Sequence, residues 1–343
     1  MEVVNILREL VSFNTIKDKE NDKIINYIES EMKKLNFKTE RKGKYLIMSY
    51  GENPKFGFVG HTDTVEYIDG WKTNPFELTQ KGEELYGLGS CDMKSGIAAF
   101  IKAVSEIDLS KLKHGIKAYF TYSEEQNFEG IREVLDTNEK FPEYILVGEP
   151  TNNVTVTGCK GLLAYNLSFK GIKVHSSNPA KGKSANLACI KFLYELDEFY
   201  NKNIKPDIND KFEIPYTTMN VGVINGGSAI NSVSAYCKAT LDFRIAKDEH
   251  IKILKDKVEE LALKYDCKAN IIQQINAWYN DIDFINTHDT ANYFTEASML
   301  KGNRMILGAG PVTAHEVDEH ITIQSLNKLV EQYKDIINEI CIK

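Results

Sequence analysis

The strongest constraint on the fold is a change of rhythm near residue 159. Up to about residue 158, short apolar runs alternate with segments of helical period. Residues 2–12 and 20–36 carry apolar side chains at helical spacing, with Ile24, Ile25, Ile28 and Met32 on one stripe. The runs Tyr45–Met48, Phe56–Val59, Ala118–Tyr122 and Tyr144–Val147 read as strands, and the stretch 95–107 reads as a helix. Strands alternating with helices predict an α/β sheet covered on both faces. From 159 the order becomes strand (Leu162–Phe169), helix (Ser184–Tyr200), two strands (Thr218–Ile224, Val233–Ile245), helix (Asp248–Tyr265) and strand (Lys268–Gln273). That β-α-β-β-α-β order is the ferredoxin-like unit. After about residue 276 the mixed pattern returns and closes on an amphipathic helix, Gln324–Ile340. The expectation is an α/β chain. Residues 1–158 and 276–343 form a mixed-sheet domain covered by helices, and residues 159–275 form an inserted ferredoxin-like α+β domain.

A length of 343 residues fits about two domains. Lys and Arg number 42 against 49 Asp and Glu, a net charge of −7. An acidic chain lacks the basic face that phosphate neutralisation requires, so a nucleic-acid partner is not expected. No apolar run approaches the ~18–20 residues of a membrane span, and the first residues lack the basic start of a signal peptide. The six cysteines lie far apart and form no CxxC pair, which argues against a zinc knuckle, a redox pair or a disulfide framework. A reducing cytoplasm is the simplest home.

Chemistry gathers at the ends of the apolar runs. Phe56–Gly60 leads to His61-Thr-Asp63, Ala118–Ser123 to Glu124-Glu125, and Tyr144–Gly148 to Glu149-Pro-Thr. Leu85–Cys91 leads to Asp92-Met-Lys, and Met305–Gly310 leads to His315. In open α/β sheets, ligand sites lie beyond the carboxyl ends of the strands. Taken singly, each residue has an ordinary explanation. His61 could be a turn histidine, the Glu124-Glu125 pair a solvated loop, and Asp92 a helix cap. Five strand ends that all carry hard or borderline donors point instead to one convergent metal site. Imidazole and carboxylate donors without thiolate favour zinc, manganese or cobalt. If Glu124 and Glu125 lie in extended backbone, they point opposite ways, so one can ligate while the other moves protons. His315 and His320 lie one residue too far apart for an HExxH pair, about 140° around a helix. Neither a GxSxG elbow nor a P-loop is present.

These segments together resemble the M20 metallopeptidase family, over nearly the whole chain. The resemblance rests on His61-Thr-Asp63, Gly87–Gly96 around Asp92, Ser123–Gly130, Gly148-Glu149-Pro-Thr and His315. Within the family it is most similar to the acetylornithine deacetylase and succinyl-diaminopimelate desuccinylase branch, through Glu149, Thr295-Glu296-Ala297 and Ala314–Glu319. The resemblance implies a catalytic domain with an inserted lid and dimerisation domain, and hydrolysis of an amide bond with two zinc ions per subunit. Asp92 would bridge the ions, His61 and Glu149 would complete one, and Glu125 and His315 the other. Glu124 would be the general base, and Asp63 would hold the imidazole of His61. In the inserted domain, His175 would stabilise the oxyanion in a partner subunit, and Asn231 and Arg244 would bind the substrate carboxylate. The implied substrate is a small N-acyl amino acid or a short peptide. Phe169, Val221 and Val223 lie on strands of the inserted domain, where an exposed strand or helix edge suits pairing across a two-fold axis, and the resemblance likewise implies a homodimer. A dipeptidase or aminopeptidase of the same family is the second enzymatic reading. A non-catalytic metal-binding relative would lack the base or a ligand, and none is missing here.

Overall fold

The computed structural model describes residues 2–286 and 289–343. The chain forms two compact units. One comprises residues 1–157, 280–289 and 295–343, and the other residues 158–279 and 290–294. Periodicity alone did not signal the excursion of 290–294 into the second unit. It is held there by strand pairing, with Lys160 N–H donating to the Ala291 carbonyl at 3.1 Å.

The first unit is built on a mixed sheet. The strands Ile116–Thr121, Phe56–His61, Tyr144–Val147 and Asn303–Ile306 lie side by side and run parallel. Tyr45–Tyr50 joins Ile116–Thr121 antiparallel, and Lys38–Lys42 forms the edge beyond it. The register places Tyr119, Val59, Val147 and Ile306 in one row across the parallel strands. Fully buried parallel strands read as continuous apolar runs, which is why these segments were legible. The strand Glu84–Tyr86 lies apart from this sheet. It pairs with Thr79–Lys81 and His320–Thr322 in a small antiparallel sheet, so Asp92 reaches the site from a separate layer.

Helices cover the sheet with their apolar stripes. The helix Lys94–Glu106 is buried along most of its length and stacks Phe100 on Phe58, ring centroids 4.3 Å apart. Val3–Ser12 and Ile323–Cys341 pack against it, burying Leu7, Leu10, Leu329 and Tyr333. Lys94–Glu106 can lie close to the sheet because Gly96 has no side chain. A Cβ there would stand 2.3 Å from the Gly148 carbonyl oxygen.

The second unit is an antiparallel sheet in the order Thr218–Gly226, Tyr236–Ile245, Gly161–Lys170, Cys267–Ile275. In chain order this is 2-3-1-4, the ferredoxin-like arrangement. The helices Ala185–Asn203 and Glu249–Tyr265 contribute Phe192, Leu196, Leu254 and Val258 to its own core. Phe169 is on an inner strand and buried, whereas Val221 and Val223 lie on the edge strand beside a bulge. Among the described residues no helix is long and apolar enough to cross a membrane.

The contact at Gly96 yields a prediction. Gly96→Ala forces Lys94–Glu106 away from the end of Tyr144–Val147 and costs at least about 1–3 kcal/mol by overpacking. A urea unfolding midpoint equal to that of the unsubstituted chain contradicts this.

Candidate metal centre

The parallel register builds the site. His61 ends its strand, and Glu149 lies two residues beyond Val147 on the adjacent strand. Both stand two residues past the shared row of Val59 and Val147. Neighbouring parallel strands set such positions side by side, and His61 Nε2 lies 3.6 Å from Glu149 Oε1. Asp92 comes from the turn before Lys94–Glu106, and its two oxygens divide. Oδ1 is 3.2 Å from His61 Nε2, and Oδ2 is 3.5 Å from His315 Nε2. His315 Nε2 also lies 3.0 Å from Glu125 Oε1. The donor atoms of His61, Asp92 and Glu125 lie within 4.8 Å of one another, as do those of His61, Glu124 and Glu149.

The geometry of Glu124 and Glu125 differs from the extended pair expected. Ser123 adopts a left-handed conformation (φ 53°), and Glu124–Asn127 forms one helical turn. The two side chains therefore diverge by about 100° rather than 180°. The turn is anchored on both sides. Ser123 Oγ donates to Asp18 Oδ2 at 2.6 Å. The Asp63 carboxylate accepts the backbone N–H groups of Glu124 and Glu125 at 3.1 and 3.2 Å. His61 Nδ1 lies 3.1 Å from the Asp63 backbone carbonyl and 3.5 Å from its carboxylate. The nearest partner of the ring is thus the main chain, while the Asp63 carboxylate faces both the ring and the turn carrying Glu124 and Glu125.

The charges are crowded. His61 and Glu149 are buried, Asp92, Glu124 and Glu125 are partly so, and His315 is exposed. Burial, with the Glu149 charge next, pushes Glu124 well above the usual carboxylate range. Burial and the Asp92 charge push Glu149 up to about 8. Burial also raises Glu125, which His315 partly offsets. Burial acts against the Asp92 charge, yet hydrogen bonds from His315 and His61 hold its carboxyl below the usual range. Burial likewise opposes charge on His61, but Glu149, Asp63 and Asp92 outweigh it and raise the imidazole well above its ordinary value. Asp92 and Glu125 raise His315 to about 10. Four carboxylates crowded against two imidazoles thus favour added positive charge at this place. A divalent cation fits the same place, and Glu149 Oε1 is buried there without a hydrogen-bond partner. The cluster offers nitrogen and oxygen donors only. The Cys91 thiol lies 3.5 Å from the Pro311 carbonyl, outside it.

The other expected residues belong to the second unit. His175 is exposed, and its Nδ1 lies 2.8 Å from the Ser177 hydroxyl and 3.2 Å from the Ser177 N–H. The Asn231 carbonyl accepts the Ser176 N–H at 2.9 Å, so these two segments adjoin. Arg244 forms a two-point pair with Asp242, at 2.9 and 3.1 Å, and its guanidinium faces the Phe294 ring at 5.6 Å. Three buried groups of the first unit were not read as functional from the residue pattern. Lys94 donates to the Phe13 carbonyl at 3.0 Å, and burial pulls its pKa down to about 7. Glu296 is fully buried, and burial pushes it up to about 7 while His61 and Thr121 draw it back. Glu319 is buried beside the Asp92 turn. Their only signal was membership in the quoted motifs.

Residues 57–339 match peptidase family M20/M25/M40. Over 99% of its length the chain is 28% identical to the acetylornithine deacetylase of Photorhabdus laumondii, covering 97% of that protein. It is 30% identical to the acetylornithine deacetylase of Buchnera aphidicola, across 96% of this chain and 94% of that one. In fold it is similar to the aminopeptidase PepT of Bacillus cereus, with TM-score 0.80, 19% identity and 98% of each chain covered. The Bacillus subtilis YXEP protein, a dinuclear metal-binding peptidase of the M20 family, superposes with TM-score 0.73 at 13% identity, again over 98% of each chain.

Because Asp63 holds the Glu124–Glu125 turn by two backbone bonds, Asp63→Asn replaces one acceptor oxygen with an NH₂ group facing an N–H. Metal affinity is expected to fall about 10- to 100-fold, the usual range for residues that orient ligands. Elemental analysis after dialysis against limiting zinc reads this. Full retention contradicts it.

Proposed function

The chain belongs to peptidase family M20/M25/M40, hydrolases of amide bonds, and on that premise we propose that it is a two-zinc amidohydrolase that removes an N-acyl group from an amino acid. The substrate is acetylornithine or a related N-acylated diamino acid. The observation that carries this reading is likeness to acetylornithine deacetylases that spans almost the whole chain. All the metal-ligand and base positions of the resemblance are filled.

In this reading Asp92 would help hold both ions, in keeping with its oxygens facing His61 and His315 separately. His61 and Glu149 complete one set, and Glu125 and His315 the other. Cobalt or manganese suits the same donors as zinc. When bound, the ions supply Lewis acidity that makes water nucleophilic and polarises the scissile carbonyl. Glu124 takes the proton from the attacking water and returns it to the leaving nitrogen. Asp63 keeps Glu124 and Glu125 in place through their backbone N–H groups. His175 offers Nε2–H to the developing oxyanion, acting from a partner subunit in a homodimer, and Arg244 and Asn231 receive the substrate carboxylate. Arg244 uses two N–H groups on Asp242 and keeps the rest of its fork for a ligand.

A substrate panel tests the reading: N-acetyl-ornithine, N-succinyl-diaminopimelate, other N-acetyl amino acids and dipeptides, each with zinc, cobalt or manganese. Turnover of an N-acyl diamino acid above every dipeptide is expected. Hydrolysis confined to dipeptides overturns the deacylase assignment in favour of a peptidase. The adjacent acids supply a second test. Glu124→Gln is expected to lower turnover by about 10²–10⁴-fold while metal content stays near two per chain. Glu125→Gln loses metal first, and added zinc partly restores it. If Glu124→Gln empties the site and Glu125→Gln does not, the two roles are reversed.

A further inference from the structure

Glu319 is an acid in the neighbourhood of the metal centre whose two oxygens are both engaged by the main chain. Its side chain is 2% exposed. Oε1 accepts the backbone N–H groups of Cys91 at 2.8 Å and Asp92 at 2.9 Å, and Oε2 accepts that of Gly89 at 2.8 Å. Its main chain holds the same turn. The Glu319 carbonyl accepts the Gly87 N–H at 3.0 Å and the Ser90 hydroxyl at 3.3 Å. Hydrogen bonds from N–H groups to a carboxylate are roughly twice as strong as neutral ones, and successive N–H groups make a cradle for an anion. Three such bonds offset part of the cost of burying a carboxylate.

The same residue is tied to His315. The Thr313 hydroxyl donates to the His320 carbonyl at 2.7 Å and accepts the His320 N–H at 2.9 Å. This closes the loop that carries both His315 and Glu319. Next to it, His320–Thr322 pairs with Glu84–Tyr86, the strand that feeds the Asp92 turn. Asp92 and His315 are 223 positions apart in the numbering, and the Glu319 side chain is one of the links that joins their segments.

We propose that Glu319 is a positioning residue that locks the Gly89–Asp92 turn onto the His315 loop, and so sets the spacing between the two halves of the metal centre. The inference rests on the reading of Asp92 and His315 as metal ligands. It assigns Glu319 no contact with metal or substrate.

Cobalt titration of the metal-free chain tests it, followed by visible absorption, with Glu319→Gln, Asp92→Ala and the double variant. Glu316→Gln, exposed on the same loop, is the control. Glu319→Gln sets an amide NH₂ against backbone N–H groups. It is expected to weaken cobalt binding by about 10- to 100-fold and to alter the absorption envelope, while Glu316→Gln leaves both unchanged. In the Asp92→Ala background Glu319→Gln is expected to add little, because its effect passes through Asp92. If Glu319→Gln yields no folded chain, Glu319→Asp, which keeps the charge with shorter reach, enters the same comparison. Unchanged cobalt affinity and spectrum in the Glu319 variant overturn the proposal, as does a full additional loss in the Asp92→Ala background. If Asp92→Ala itself keeps both ions at full affinity, the ligand reading fails instead.

Discussion

The centre depends on one electrostatic constraint. Asp92, Glu124, Glu125 and Glu149 lie against His61 and His315 at the end of a buried sheet, and such carboxylates cannot all stay ionised together without added positive charge. The mutual repulsion and burial raise Glu124, Glu125 and Glu149, and the neighbouring carboxylates raise both imidazoles. The arrangement is costly for folding and useful for binding. A site that concentrates negative charge at fixed points takes up a divalent cation where an ordinary surface cluster does not.

Holding those points is the work of the backbone, through two acids that bind its N–H groups. Asp63 gathers the N–H groups of Glu124 and Glu125, and Glu319 gathers those of Gly89, Cys91 and Asp92. Each carboxylate turns a short irregular segment into a defined one, because a buried peptide N–H must find an acceptor. The parallel sheet supplies the rest. His61 and Glu149 stand beside each other because their strands share a register, and Gly96 lets Lys94–Glu106 approach the strand end that precedes Glu149.

The elements themselves were largely legible in the amino-acid order. Phe56–Val59 and Tyr144–Val147 are continuous apolar runs because parallel strands are buried on both faces. Gln324–Ile340 shows its helical stripe because one side packs and the other meets water. The β-α-β-β-α-β order of the second unit was legible for the same reason. The segment 290–294 was not, since a few residues of chain carry no period and join the second unit only by pairing. The pose of Glu124 and Glu125 was also hidden. A left-handed Ser123 turned an expected extended pair into a helical turn, anchored by Asp18, more than a hundred residues earlier, and by Asp63.

By itself, then, the sequence determined which residue types could meet: histidine and carboxylate at successive strand ends, with no thiolate among them. That information is local, because strand ends and donor chemistry are both properties of short segments. Tertiary structure decided how each acid is used. Asp92 points its oxygens at two imidazoles, Glu319 gives its two oxygens to main-chain N–H groups, and Asp63 divides its own between main-chain N–H groups and the His61 ring. An aspartate or glutamate has the same lone pairs in every case. Only the neighbours that the fold brings within about 3 Å settle whether those lone pairs face a cation or a peptide.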